Sequence, residues 1–552
     1  MEEKRISGIP DHAIAFIDLV VKKIRYRKKV RQEVRDELVA HFEDELRGCT
    51  NEQDREQKAH QLVTEFGDPK VLAALMRRAK KRCRPLWAKV VVHGLQAIGV
   101  VVLYLVICAL PQMIGRPTIR INYMGWINDL VRDNQDESLN AKPYYDKAVE
   151  LAAKAPTWPP ELRSRTWPGD MNDQERKATV ELLDKSTEAL DALREAVGKS
   201  YYWVHYELDP NSNRPKRPED PLAACPKGSL SFSAGLADYA MKPLAGYKDL
   251  ARRMDIQIHW KKSTGDVEGA IDDTLVLVRF GTHLEGKGTL VEQLVAIAIE
   301  ALAYDSLLEV LDKSNVPTVV LKRTHLRLDE CNSTQKAIIS LDVEKALLYE
   351  YVQRTFTDDG KGNGRVLNKG IPLVADNAWG TLTRFLSFSL PDRRVVTERI
   401  NAFFNEYARW MDIPPSSPAF QDQAERLKQI ARGNVFLKLE EPAFGRIAQL
   451  VWRFKTHRQG VIAVLGIMEY RQEKGDYPSN LNELVAAGYL DKLPIDPYSG
   501  GPMVYRRTDG GFLLYSLGKD LKDDGGIQGT NSQGKPRMWR DTGDWVFWPV
   551  SD

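Results

Sequence analysis

Apolar residues recur at helical spacing along most of this chain. Val30, Val34, Leu38, Phe42 and Leu46 stand four apart between charged neighbours, the stripe of an amphipathic helix. A second helix is predicted from Asn51 to Phe66 and a third from Pro69 to about Arg82. Three residues mark their join: Gly67 suits the C′ position, Asp68 caps the next helix and Pro69 opens it at N1. From Ile119 to about Leu450 the helical period continues, broken by proline-rich loops such as Asp209 to Pro221. Segments 140–155 and 173–197 are amphipathic, and another helical stretch resumes near Leu236. Val267, Ile271, Leu275 and Val278 share one face, and a more apolar helix is predicted from Leu290 to Leu311. After about Lys455 the pattern changes. A helix continues from Thr456 to Gln472, and then turns such as Asp509-Gly510 alternate with FLLYSL and DWVFW, which predicts a small antiparallel sheet packed on one helix.

One segment departs from amphipathicity altogether. Val90 to Leu110 is 21 residues without a formal charge, and at 1.5 Å per residue such a helix spans a bilayer core of about 30 Å. The rival reading is a buried core helix. The preceding charge separates the two: Arg77 to Lys89 carries seven basic residues and no acidic one, which by the positive-inside rule holds the N-terminus in the cytoplasm. The first 30 residues contain no uninterrupted apolar core, so the span is expected to act as an uncleaved signal anchor in a bacterial inner membrane, with the C-terminal bulk exported.

Charge and composition sharpen this picture. The 552 residues carry 79 Lys+Arg against 76 Asp+Glu, a net charge of only +3. A chain that is 28% charged is not a multi-span transporter, and one so balanced is neither a disordered tail nor a basic nucleic-acid binder. The average conceals about +6 over residues 1–89 and −3 over 90–552. The predicted fold class is mainly α: a cytoplasmic helical bundle with a basic stem over 1–89, a transmembrane helix over 90–110, an exported α-helical hairpin region over 111–455, and a small α+β domain over 456–552.

Two stretches resemble known families. VRQEVRDELVAHFEDELRG followed by EFGDPKVLAALMRR, within residues 11–82, resembles the HAAS domain, a cytoplasmic helical module of bacterial signalling and permease-type membrane proteins. That resemblance implies protein–protein contact rather than catalysis. Near the C-terminus, Tyr470, Gly475, Tyr477-Pro478, Leu481, Leu484, Gly488-Tyr489-Leu490, Leu493-Pro494, Asp496-Pro497-Tyr498, Gly501-Pro502, Tyr505, Tyr515-Ser516, Gly518, Asp520 and Gly525-Gly526 follow in order. That series resembles the globular domain of the major pseudopilin of type II secretion. The family commonly binds calcium in the loop corresponding to GKDLKDDGG, so the resemblance implies Asp520, Asp523 and Asp524 as ligands, with Asp544 closing the site. Two departures stand out. Fifteen residues, GTNSQGKPRMWRDTG, intervene before Asp544. The helix before Gly460 carries Arg453, Lys455, His457 and Arg458, so it cannot insert in a membrane and polymerise as a pseudopilin helix does.

Catalytic motifs are scarce: there is no HExxH, GxSxG, P-loop or GxGxxG after a strand. Glu300, in the apolar run VAIAIEALA, is either a general acid of raised pKa or the partner of a basic residue on a neighbouring helix. YYWVHY, with Tyr201, Tyr202, Trp203 and Tyr206, is either an aromatic ligand platform or core. His41 beside Glu43, Asp44 and Glu45 is either a metal site or a solvated acidic face. Among five cysteines no CxxC occurs, and Cys225 with Cys331 are the exported pair available for a disulfide. The function expected is a membrane-anchored exported scaffold or binding protein, with signalling across the membrane. The alternatives are an accessory protein of a type II secretion or envelope assembly, and an exported hydrolase using acidic residues. Protein partners are expected, and no nucleic acid.

Overall fold

The computed structural model describes residues 8–82, 86–132, 136–156, 171–206, 234–312, 314–333, 338–367, 390–432, 434–530, 534 and 539–550. The chain divides into two compact units, Met1–Cys108 and Ala109–Asp552. It is mainly helical, with one small three-stranded sheet near the C-terminus.

In the first unit, α1 (Asp11–Lys23), α2 (Lys28–Leu46), α3 (Glu52–Phe66) and α4 (Pro69–Arg82) form a bundle. The stripe of α2 is its spine: Val34, Leu38, Phe42 and Leu46 are buried against Phe16, Ile17 and Val20 of α1 and Leu62 of α3. The caps follow the sequence. Asn51 Oδ1 accepts from Asp54 N at 2.9 Å, Gly67 adopts φ +69°, and Asp68 Oδ1 accepts from Lys70 N at 2.7 Å. His41 is exposed and sets its ring edge on Phe66, with centroids 5.5 Å apart; Glu43, Asp44 and Glu45 stay on the solvated face. The apolar segment lies in α5 (Leu86–Ile114), and the stretch Val90–Cys108 is 0% buried. A core helix would have buried most of that surface.

The second unit holds α6 (Tyr123–Val131), α7 (Lys142–Lys154), α8 (Asp173–Val197), α9 (Ala234–Ser263), α10 (Val267–Leu284), α11 (Leu290–Leu311), α12 (Thr318–Ser333), α13 (Asp342–Thr355), α14 (Arg393–Met411), α15 (Pro418–Ala431), α16 (Val435–Lys474) and α17 (Leu481–Ala486). Capping boxes start α8 and α11: Asn172 with Glu175, and Thr289 with Glu292. The run YYWVHY belongs to the core rather than to a ligand platform. Tyr202, Trp203 and Tyr206 are buried, and the Tyr206 hydroxyl donates to Glu292 Oε2 at 2.5 Å, tying the loop to the start of α11. Cys225 and the loop from Asp209 to Pro221 lie outside the described residues, and with them the Cys225–Cys331 pairing.

The strands β1 (Val504–Thr508), β2 (Gly511–Ser516) and β3 (Trp545–Trp548) pair antiparallel in that order, with Val504 opposite Tyr515 and Ser516 opposite Trp545. Gly510, at φ +84°, turns β1 into β2. Helix α16, 40 residues long, runs through the composition change near Lys455 and packs on both the other helices and the sheet. Phe512, Leu514 and Phe547 of the sheet share one buried cluster with Tyr304 and Leu307 of α11. Close packing of β3 on α16 depends on Gly460, where a Cβ would lie 2.6 Å from the Phe547 ring.

Candidate functional site

The loop after β2 carries the four aspartates implied as calcium ligands. Three of them, Asp520, Asp523 and Asp544, hold the loop together. Asp520 Oδ2 accepts from Gly543 N at 3.2 Å. Asp523 Oδ1 accepts the Tyr515 hydroxyl at 2.7 Å and Gly525 N at 2.9 Å, which hold its pKa down. Asp544 Oδ2 accepts from Gly526 N at 2.7 Å, closing the loop on β3. Burial raises the pKa of Asp544; the backbone N–H groups of Gly526 and Asp524 oppose that rise, and the charges of Asp523 and Asp524 add to it. Its Oδ1 is buried without a hydrogen-bond partner among the described residues. These residues are therefore near one another, yet among the described residues no three His, Cys, Asp or Glu side chains converge as a metal-binding group.

Glu300 finds the basic partner that its apolar surroundings require. Arg458 of α16 donates from Nη2 to Glu300 Oε2 at 2.9 Å and to Glu285 Oε1 at 3.0 Å, and from Nε to the Tyr304 hydroxyl at 3.2 Å. Both carboxylate side chains are 0% exposed. Burial raises both their pKa values, and the charge of Glu300 adds to the rise at Glu285. One guanidinium faces two sealed carboxyls, whose burial disfavours their charged forms. Gly281 of α10 makes room for the cluster: a Cβ there would collide with Glu300 Cγ. The arrangement ties α11 to α16 and presents no carboxylate to a substrate.

One residue earlier on α16, a different set of side chains opens outward. A cleft of about 340 Å³ is lined by Asp305 of α11, by Arg453 and His457 of α16, and by Trp539. The His457 side chain is 2% exposed, with Nε2 3.3 Å from Asp305 Oδ1 but off hydrogen-bonding geometry. Burial, with the charge of Arg453, lowers its pKa to about 3, so the ring is neutral near pH 7. The Arg453 guanidinium lies 5.5 Å from the centroid of the Trp539 ring, a cation–π geometry. Trp539 has φ +68°, a left-handed conformation that bulky residues seldom adopt. In the sequence, Arg453, Lys455, His457 and Arg458 indicate that the helix cannot enter a membrane but do not point to this cleft. The spacing of Arg453 and His457, one helical turn apart, was the available signal.

Comparison of the chain with protein-family models, with curated proteins and with solved structures finds no match.

Proposed function

We propose that the chain is a single-span anchored scaffold or binding protein of a bacterial inner membrane, with its basic, HAAS-like helical unit in the cytoplasm and its larger unit exported. The observation that carries this reading is the unburied apolar stretch Val90–Cys108 in α5, at the boundary between the two compact units. Nineteen residues at 1.5 Å each make about 28 Å, close to the thickness of the hydrocarbon core. Alkaline carbonate extraction tests it. The full chain should stay in the membrane pellet, and deletion of residues 90–108 should release it. Release of the intact chain would overturn the reading.

A second reading, an accessory protein of a type II secretion or envelope assembly, is supported by the antiparallel sheet packed on α16. Crosslinking in the membrane should then recover secretion components. Hydrolysis by Glu300 draws no support from a carboxylate sealed against Arg458. Calcium in the loop after β2 is supported by the unpartnered Oδ1 of Asp544 beside two acidic neighbours. Binding would require Asp523 to give up the Tyr515 hydroxyl or the Gly525 N–H. Calcium chloride should raise the melting temperature above that in chelator, and Asp544→Asn should abolish the difference.

A further inference from the structure

We propose that the cleft between α11 and α16 is a binding site for a small organic monocarboxylate with a flat apolar body, anchored by Arg453. Among the described residues the Arg453 guanidinium makes no hydrogen bond or ion pair; its recorded contact is the face of Trp539. It is nevertheless partly desolvated, and burial lowers its pKa. The charge of Asp305 opposes that fall, but no carboxylate pairs directly with the fork among the described residues, and a planar carboxylate bound in two parallel hydrogen bonds stabilises a partly desolvated guanidinium further. Stacking on the indole fixes the plane of the fork, so the donors are oriented before a ligand arrives. Trp539 is itself held firmly, with ring centroids 4.8 Å from His457 and 4.9 Å from Trp545. That packing maintains the tryptophan in its left-handed conformation.

The charge in the walls sets the valence of the ligand. Arg453 supplies one positive charge, Asp305 one negative charge, and His457 is neutral. Asp305 repels any anion that Arg453 attracts, so this wall offers little to offset the heavier desolvation of a phosphate dianion, and a monocarboxylate is favoured. The buried Nε2 of His457 is a second polar atom in this wall without a hydrogen bond among the described residues. The remaining lining is apolar: Ile297, Ala298, Ala301, Leu302, Leu450 and Phe454. An open cleft of this size and a single cation suit a small ligand that is mostly hydrocarbon or aromatic. This inference needs neither the anchor nor its orientation, so it stands or fails separately from the topology proposed above.

The test is calorimetric titration of the full chain in lipid nanodiscs, with empty nanodiscs subtracted. The probes are 3-phenylpropionate, its uncharged isostere 3-phenylpropanamide, and phenyl phosphate. The carboxylate should bind saturably and about tenfold more tightly than the amide, a difference of about 1.4 kcal/mol, with the phosphate weaker than the carboxylate. Arg453→Gln should remove the preference for acid over amide, and Arg453→Lys, which keeps the charge but not the fork, should retain part of it. Ala301→Trp, which fills the cleft without altering charge, should abolish binding of both. Absence of saturable carboxylate binding overturns the proposal. So do equal affinities for acid and amide, and an undiminished preference in both Arg453 variants. Should Arg453→Gln fail to fold, Arg453→Lys and Ala301→Trp decide.

Discussion

Replacing Arg458 by Met tests the polar seam between α11 and α16. The substitution keeps much of the side-chain volume and removes the hydrogen bonds to Glu300, Glu285 and Tyr304. It leaves two carboxyls that are 0% exposed with no cation. Breaking a buried ion pair from one side costs about 3–5 kcal/mol. Protonation of both carboxyls limits the loss toward the lower end, because burial already favours their neutral forms and the charge of Glu300 adds to that at Glu285. For a unit of roughly 440 residues that unfolds cooperatively, about 3–4 kcal/mol lowers the melting temperature by about 3–5 °C. Circular dichroism of the detergent-solubilised chain reads this directly. The control is Arg458→Met combined with Glu285→Gln and Glu300→Gln, which removes all the charges together and should recover most of the loss. A loss below about 1 kcal/mol in Arg458→Met would refute the reasoning. A triple variant no more stable than the single one would refute it equally.

Gly460→Ala puts a methyl group 2.6 Å from the Phe547 ring, and overpacking of this kind costs about 1–3 kcal/mol; near-ultraviolet circular dichroism of the sheet tryptophans should change with it, whereas Gly501→Ala, with no close neighbour but Ser499, should not. Acidification should reveal His457. The unfolded ring takes a proton as the pH falls through about 6.5, the folded ring only near 3, so its contribution is lost progressively as pH drops across that window. Comparing urea midpoints between pH 4.5 and 6.5, His457→Gln should lower the slope of stability against pH by up to about 1.4 kcal/mol per unit. Glu285 acts in the opposite sense: its raised pKa makes stability fall as pH rises above about 4.3, and Glu285→Gln should remove that fall.

Much of the fold was legible because it is local. The stripe of α2, the Gly67-Asp68-Pro69 join and the limits of α8 and α11 depend on neighbours within one or two helical turns, and the sequence states them. The sheet was legible from Asp509-Gly510 between alternating runs. The candidate site was less so. Arg458 meets partners 158 and 173 positions away, and no periodicity carries that pairing. Glu300 could be read as an acid or as an ion-pair partner until α16 was placed beside α11. YYWVHY offered aromatic residues without saying whether they face solvent, which the hydroxyl of Tyr206 on Glu292 decides. Trp539 gave no signal, because its left-handed backbone is imposed by tertiary packing on Arg453, His457 and Trp545.

The most direct test of the central claim is the sidedness of the two units. Glu56→Cys in α3 and Lys492→Cys beyond α17 are both at exposed positions, and each is introduced with the five native cysteines replaced by serine. In intact bacterial spheroplasts a membrane-impermeant maleimide should label the cysteine at 492 and reach the one at 56 only after the membrane is permeabilised. Equal labelling of the two positions before permeabilisation, or labelling at 56 alone, would contradict the anchored topology.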